Sequence, residues 1–158
     1  MTKIILRHSK TVLFLFIGLL VSACEHNTLS NNSSQNSINS AFDIDTFSVI
    51  PPEIDGCACY FSNNEKEFKE NKYIYADDHG NNAFLSINGV VTKFKIIKSD
   101  TFPAKHSIEV WTNDKYELII DTKQVGQIDE TWQEIGTLRI TTKEGKTITK
   151  NIYGECGC

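Results

Sequence analysis

Ala83-Phe84-Leu85-Ser86-Ile87-Asn88-Gly89-Val90-Val91-Thr92-Lys93-Phe94 is the stretch from which the fold is read. Asn88-Gly89 is the strongest short hairpin signal in the chain, because both central positions of the favoured turn need positive φ. A two-residue loop pairs Ile87 with Val90, Leu85 with Thr92 and Ala83 with Phe94. Successive residues of a strand face opposite sides. This register therefore puts Ala83, Leu85, Ile87, Val90, Phe94 and Ile96 on one face, with Ser86, Lys93 and Lys95 on the other. Register and hydrophobic pattern agree on a hairpin with one buried face.

The same parity test carries outward. Near Glu144-Gly145, a three-residue loop of Lys143-Glu144-Gly145 pairs Ile140 with Ile148 and leaves Gly145 at the left-handed position such loops favour. The inward set is then Leu138, Ile140, Ile148 and Ile152, with Lys150 as the exception. Between Trp111 and Tyr116 the test favours an odd loop, which sets Ile108 and Val110 opposite Ile120 and Leu118. That register leaves Trp111 on the other face, either exposed as a contact anchor or covering a sheet edge. Residues 63–72 are polar apart from Phe68 and read as one helical turn or a loop. Val, Ile, Thr, Tyr and Phe recur in short runs between turn residues, with no internal repeat. The expectation is an all-β domain over residues 53–158, with about eight antiparallel strands in a meander, as a small barrel or sandwich.

Five cysteines are present. Four form two Cys-x-Cys pairs, Cys57-Ala58-Cys59 and Cys156-Gly157-Cys158, one at each end of this domain. Residues i and i+2 of a strand share a face, so each pair presents two sulfurs side by side. Cys156 and Cys158 continue the parity of Ile148 and Ile152, and Cys57 and Cys59 share theirs with Phe61. In a closed meander of even strand number the first and last strands are antiparallel neighbours. Two cross-strand disulfides, Cys57–Cys158 and Cys59–Cys156, follow from that geometry and would staple the barrel seam. Two other readings of the same sulfurs stay open. One is a four-thiolate site for zinc or a soft metal. The other is a redox-active pair, which lacks the thioredoxin-type spacing.

The fifth cysteine has a different setting. Lys3, Arg7 and Lys10 precede an uncharged run over residues 11–21, and small residues then lead into Cys24. That is the layout of a secretory signal. The run is about half the roughly 20 apolar residues a spanning helix needs. Val21-Ser22-Ala23-Cys24 resembles the bacterial lipobox, in which the cysteine receives a diacylglycerol and becomes the first residue after cleavage. The resemblance implies a signal peptide over residues 1–23, Cys24 as the lipidation site, and a palmitate-bearing anchor in the cell envelope. Two or more acyl chains give stable membrane binding. In that family an aspartate just after the cysteine accompanies inner-membrane retention. Glu25 stands there instead, which implies the outer membrane, at its periplasmic face or at the surface. Residues 24–52 then form a lipidated N-terminus and a Ser/Asn-rich tether with little to bury. Apolar residues return at Phe42, Ile44, Phe47 and Val49, and this segment either adds to the sheet or stays extended.

Charge limits the partners. Of 16 basic and 20 acidic residues, cleavage before Cys24 removes Lys3, Arg7 and Lys10 and takes the net from −4 to −7. Such a balance argues against nucleic acid, whose binding rests on Lys and Arg at phosphates. It suits a cationic protein. Asp77-Asp78-His79 has the residue types of an acid–base or metal cluster, but Gly80-Asn81-Asn82 follows it and favours a solvated turn. Asp121, Asp129 and Glu130 are candidates to flank a groove with Trp132. His106 receives no role. No nucleophile–base pair, Gly-rich phosphate loop or zinc-protease motif is visible, so neither an enzyme nor a cofactor is expected.

An acidic, disulfide-stapled, lipid-anchored β-meander resembles the membrane-bound inhibitors of c-type lysozyme, a family with a small eight-stranded barrel. The resemblance implies a basic protein as partner. The family's Ser-Gly inhibitory loop has no counterpart here, and its cysteine placement differs. The sequence thus points to a non-catalytic envelope-binding module, with a metal- or thiol-handling protein as the competing class.

Overall fold

The computed structural model describes residues 42–158. Cys24, the apolar run before it and the Ser/Asn-rich stretch lie outside the described residues. Eight strands follow in chain order: β1 (Ala58–Ser62), β2 (Tyr75–Asp77), β3 (Asn82–Ile87), β4 (Val90–Phe102), β5 (His106–Thr112), β6 (Tyr116–Ile128), β7 (Thr131–Thr142) and β8 (Thr147–Gly157). Each pairs antiparallel with the next, and β8 pairs with β1 to close a barrel. Closure removes the exposed edges that an open sheet would leave. One short helix, α1 (Glu65–Lys69), follows β1. Asn64 caps it by accepting the Glu67 amide.

The hairpin over Asn88-Gly89 has the predicted register, with Ile87 opposite Val90, Leu85 opposite Thr92 and Ala83 opposite Phe94. Both turn residues have positive φ. Ala83, Leu85, Ile87 and Phe94 are buried, whereas Val90, beside the turn, is exposed. Ser86 is on the outer side yet also buried, because the preceding chain covers it. Asp45 donates its amide to the Ser86 carbonyl, and Ile44 bridges to Ile87. The β7–β8 hairpin likewise sets Ile140 opposite Ile148, with Gly145 left-handed at φ 86°. Lys150, the polar residue in that inward series, reaches Asp43 at 3.7 Å.

The segment from Phe42 to Phe47 thus joins the barrel. It closes the end that carries the Asn88-Gly89 turn. Phe42 stacks on Tyr116 at 5.6 Å, Ile44 enters the core, and Phe47 bridges to Tyr73. Asp43 accepts the Asn88 amide through its carbonyl, and Asp45 accepts the Gly89 amide through its carboxylate.

One register departs from expectation. Val110 stands opposite Ile119, Trp111 opposite Leu118, and Glu109 opposite Ile120. The connection is even. The Asn113 amide bonds to the Tyr116 carbonyl, and the Asn113 side chain accepts the Lys115 and Tyr116 amides. A slip of one residue turns a strand over. Trp111 is therefore one of the largest fully buried side chains, not a surface anchor. Ile108 and Val110 face outward, and Ser107 and Glu109 face inward. A bulge in β4 between Ile96 and Lys98 sets Ser99 opposite Glu109 and Thr101 opposite Ser107. The bulge exposes Ile97 and brings Ser99 and Thr101, both solvent-exposed, to the barrel mouth on the side of Glu109 and Ser107.

Candidate functional site: an acidic cavity at the disulfide-bonded end

At the end opposite Phe42, β1 and β8 meet with Cys59 directly across from Cys156. Disulfides join Cys59 to Cys156 and Cys57 to Cys158, as the meander geometry predicts. The four sulfurs accordingly do not form a thiolate metal site. Close approach of the two strands requires glycine at 154, where a Cβ would stand 1.9 Å from the Tyr60 carbonyl oxygen. Closing a loop of about 100 residues contributes about 4.7 kcal/mol in the chain-entropy treatment, and the second bond adds less.

This end is not filled with apolar side chains. It holds a cavity of about 330 Å³ whose walls carry Asp77 from β2, Glu109 from β5, Glu134 from β7 and His79. Ser99, Thr101, Ser107 and Thr122 add hydroxyls, and the Cys59–Cys156 disulfide forms part of the wall. Phe61, Ile96 and Ile120 supply its apolar portion. Ser107 and Thr122 bond to one another at 3.0 Å. No Lys or Arg lines the space.

Asp77 is 3 % exposed and accepts the His79 amide at 2.7 Å. Burial, followed by the neighbouring Glu109 charge, pushes its carboxyl up to about 7, against the pull of the His79 amide and the Tyr75 hydroxyl. Burial also raises Glu109 above the usual carboxylate range, and Glu134 adds to this. The Trp111 N–H, His79 and Ser99 act in the opposite direction. Tyr75 is pushed well up, first by burial and then by Asp77 and Glu109. Beneath the carboxyls, Tyr75 Oη and Trp111 Nε1 are buried without a well-formed hydrogen bond. The acceptors beside them are the Asp77 and Glu109 carboxyls.

The Asp77-Asp78-His79 cluster divides between its two readings. Asp78 behaves as a turn residue. Its burial acts to raise it, but hydrogen bonds from Asn82, Asn81 and Gly80 outweigh that and hold it below the usual range. Asp77 and His79 belong to the cavity. His79 Nδ1 lies 3.6 Å from Cys59 Sγ. Ligand-type atoms of Cys59, Asp77 and His79 fall within 4.8 Å of one another, but that sulfur is committed to its disulfide.

Of the other sequence candidates, Trp132 stands opposite Cys156 at the same end, and none lines the cavity. Asp121 pairs with His106 at 2.8 Å, opposite Ile108 on the outward-facing side. Asp129 occupies the β6–β7 turn with φ 51°, Glu130 is exposed beside it, and Trp132 packs against the core. These residues do not form a common groove. Sequence reasoning missed Glu109 and Glu134. The available signal was the Ser107-x-Glu109-x-Trp111 alternation, which is masked by the more conspicuous Ile108 and Val110. No family model, curated protein or solved structure matches the chain.

Proposed function

We propose that this chain is a lipoprotein of the bacterial cell envelope, anchored through Cys24 and more suited to the outer than the inner membrane. Its β-domain binds a protein or envelope component and performs no catalysis. The observation that carries the binding role is the polar cavity at the disulfide-bonded end. A barrel end built only for stability gains most from apolar filling, since buried polar groups cost free energy unless fully paired. Here the fold maintains three carboxyls around about 330 Å³ of space.

The remaining features are consistent with that role. Disulfides suit an exported domain. The acidic balance after signal removal favours a cationic partner, in keeping with the likeness to lysozyme inhibitors, whose target is basic. Phe42 packs on Tyr116 at the end of the barrel away from the cavity, which leaves the cavity mouth uncovered by residues 42–47. The competing metal-handling reading loses its thiolate ligands to the disulfides.

The test places a photoreactive amino acid at Thr101, on the cavity wall, or at Glu144, in a turn at the other end, in intact cells. A discrete adduct from Thr101 alone, competed by purified unlabelled protein, supports the reading. Adducts from Glu144 alone, or equal nonspecific labelling at both positions, would remove its basis.

A further inference from the structure

Cavity chemistry narrows the ligand. Three carboxyls from three different strands face one space whose lining includes no Lys or Arg. Behind them the buried Tyr75 hydroxyl and Trp111 N–H lack well-formed partners, with the Asp77 and Glu109 carboxyls as the adjacent acceptors. Both groups are donors, so the inner layer already offers hydrogens to the carboxyls. On the cavity side His79 is the one lining residue able to carry positive charge, against three carboxyls.

A bare divalent ion fits poorly. Such ions gather oxygens at about 2.0–2.6 Å, which requires ligands that converge. Among the described residues, the trio of ligand atoms gathered within 4.8 Å includes the disulfide-bonded Cys59 sulfur. The carboxyls instead surround a volume far larger than an ion, and Phe61, Ile96 and Ile120 offer that volume an apolar wall. An alkyl chain ending in a positive group matches both parts. An ammonium group directs three donors to separate acceptors, whereas a guanidinium prefers a coplanar carboxylate fork.

We infer that the cavity receives a primary alkylammonium group, its charge among Asp77, Glu109 and Glu134 and its methylene stem against Phe61, Ile96 and Ile120. This inference rests on the cavity being the binding site proposed above. The same chemistry has two sources, the lysine side chain of a polypeptide and a free polyamine.

Calorimetric titration of the full chain in non-ionic detergent tests it. The probes are N-acetyl-lysine methylamide, a lysine-containing peptide, spermidine, butylguanidine, butanol and calcium. Saturable binding of the lysine probes or spermidine, with butanol silent, is expected. Glu109→Gln and Glu134→Gln should each weaken that binding about tenfold or more, as expected for loss of a charge-assisted hydrogen bond. Unchanged melting of at least one variant separates lost contact from lost fold. Preference for the lysine peptide identifies a polypeptide source, and preference for spermidine identifies a free polyamine. Tighter binding of butylguanidine or calcium, sensitive to the same substitutions, overturns the ammonium assignment but leaves the cavity as the site. Ammonium binding indifferent to both substitutions overturns the placement. Absence of binding by every probe overturns the inference, and with no Thr101 adduct in cells it overturns the binding-site reading as well.

Discussion

Asp77→Asn keeps an acceptor for the His79 amide while removing an ionisation that the barrel interior opposes. The folded-state carboxyl titrates at about 7 against an ordinary value of 3.8. Below that ordinary value Asp77 is neutral in both folded and unfolded chains. Between 3.8 and about 7 the unfolded chain releases the proton and the folded chain retains it. Stability therefore falls as pH rises through this window and levels off above it. At about 1.4 kcal/mol per pH unit, the gap corresponds to about 4 kcal/mol. Urea unfolding followed by tryptophan fluorescence, with disulfides intact, measures the effect at pH values from 4 to 8. Trp111 provides the buried reporter. Variant and wild type should have similar stability near pH 4. By pH 8 the variant should be more stable by a few kcal/mol, up to about 4. A pH-independent difference, or a variant that loses ground to wild type as pH rises, would refute the reasoning. The expected gain also has functional meaning, because a residue maintained against stability is commonly maintained for its site.

Three other outcomes are expected. Cys24→Ala removes the acceptor thiol, so metabolic labelling with fatty acid and detergent partitioning should both be lost; unchanged labelling would remove the anchor. Non-reducing peptide mapping should link Cys57 to Cys158 and Cys59 to Cys156. Replacing both pairs by serine should lower stability by several kcal/mol, given separations of 101 and 97 residues, and four alkylatable thiols in the native protein would contradict the mapping. Gly154→Ala places a methyl group against the Tyr60 carbonyl and the Phe61 ring. It should destabilise the β1–β8 seam by about 3 kcal/mol or more, as overpacking against backbone does; a neutral melting shift would show that the strands can separate without cost.

Much of the barrel was legible because turn chemistry and parity checked one another. Asn88-Gly89 and Lys143-Glu144-Gly145 each demanded a loop length, and the flanking apolar residues accepted it. The cysteine spacing then determined closure, since sulfurs two apart on a strand have to match their partners in register. The β5–β6 connection was different. Ile108 and Val110 are conventional core residues, and assigning them inward imposed an odd loop. The Asn113 turn gives an even connection and places Trp111 inside. That single slip concealed the site, because Glu109 changes face with Trp111. The β4 bulge has no clear compositional mark, so Ser99 and Thr101 were equally hard to place. Residues 42–47 were ambiguous for another reason. Ile44 and Phe47 each make only an isolated bridge, too short a pattern to distinguish an added strand from an extended linker.

Amide NMR mapping of the full chain with the lysine-containing peptide tests most directly whether the disulfide-bonded end is the binding site. The account predicts saturable shift changes concentrated at Asp77–His79, Ser99–Thr101, Ser107–Glu109 and Glu134, which line or adjoin the cavity. Residues 113–116 and 143–146, around the opposite end, should remain unchanged. A saturable response centred on those two turns, or spread over the outer faces of the strands while the cavity stays silent, would contradict it.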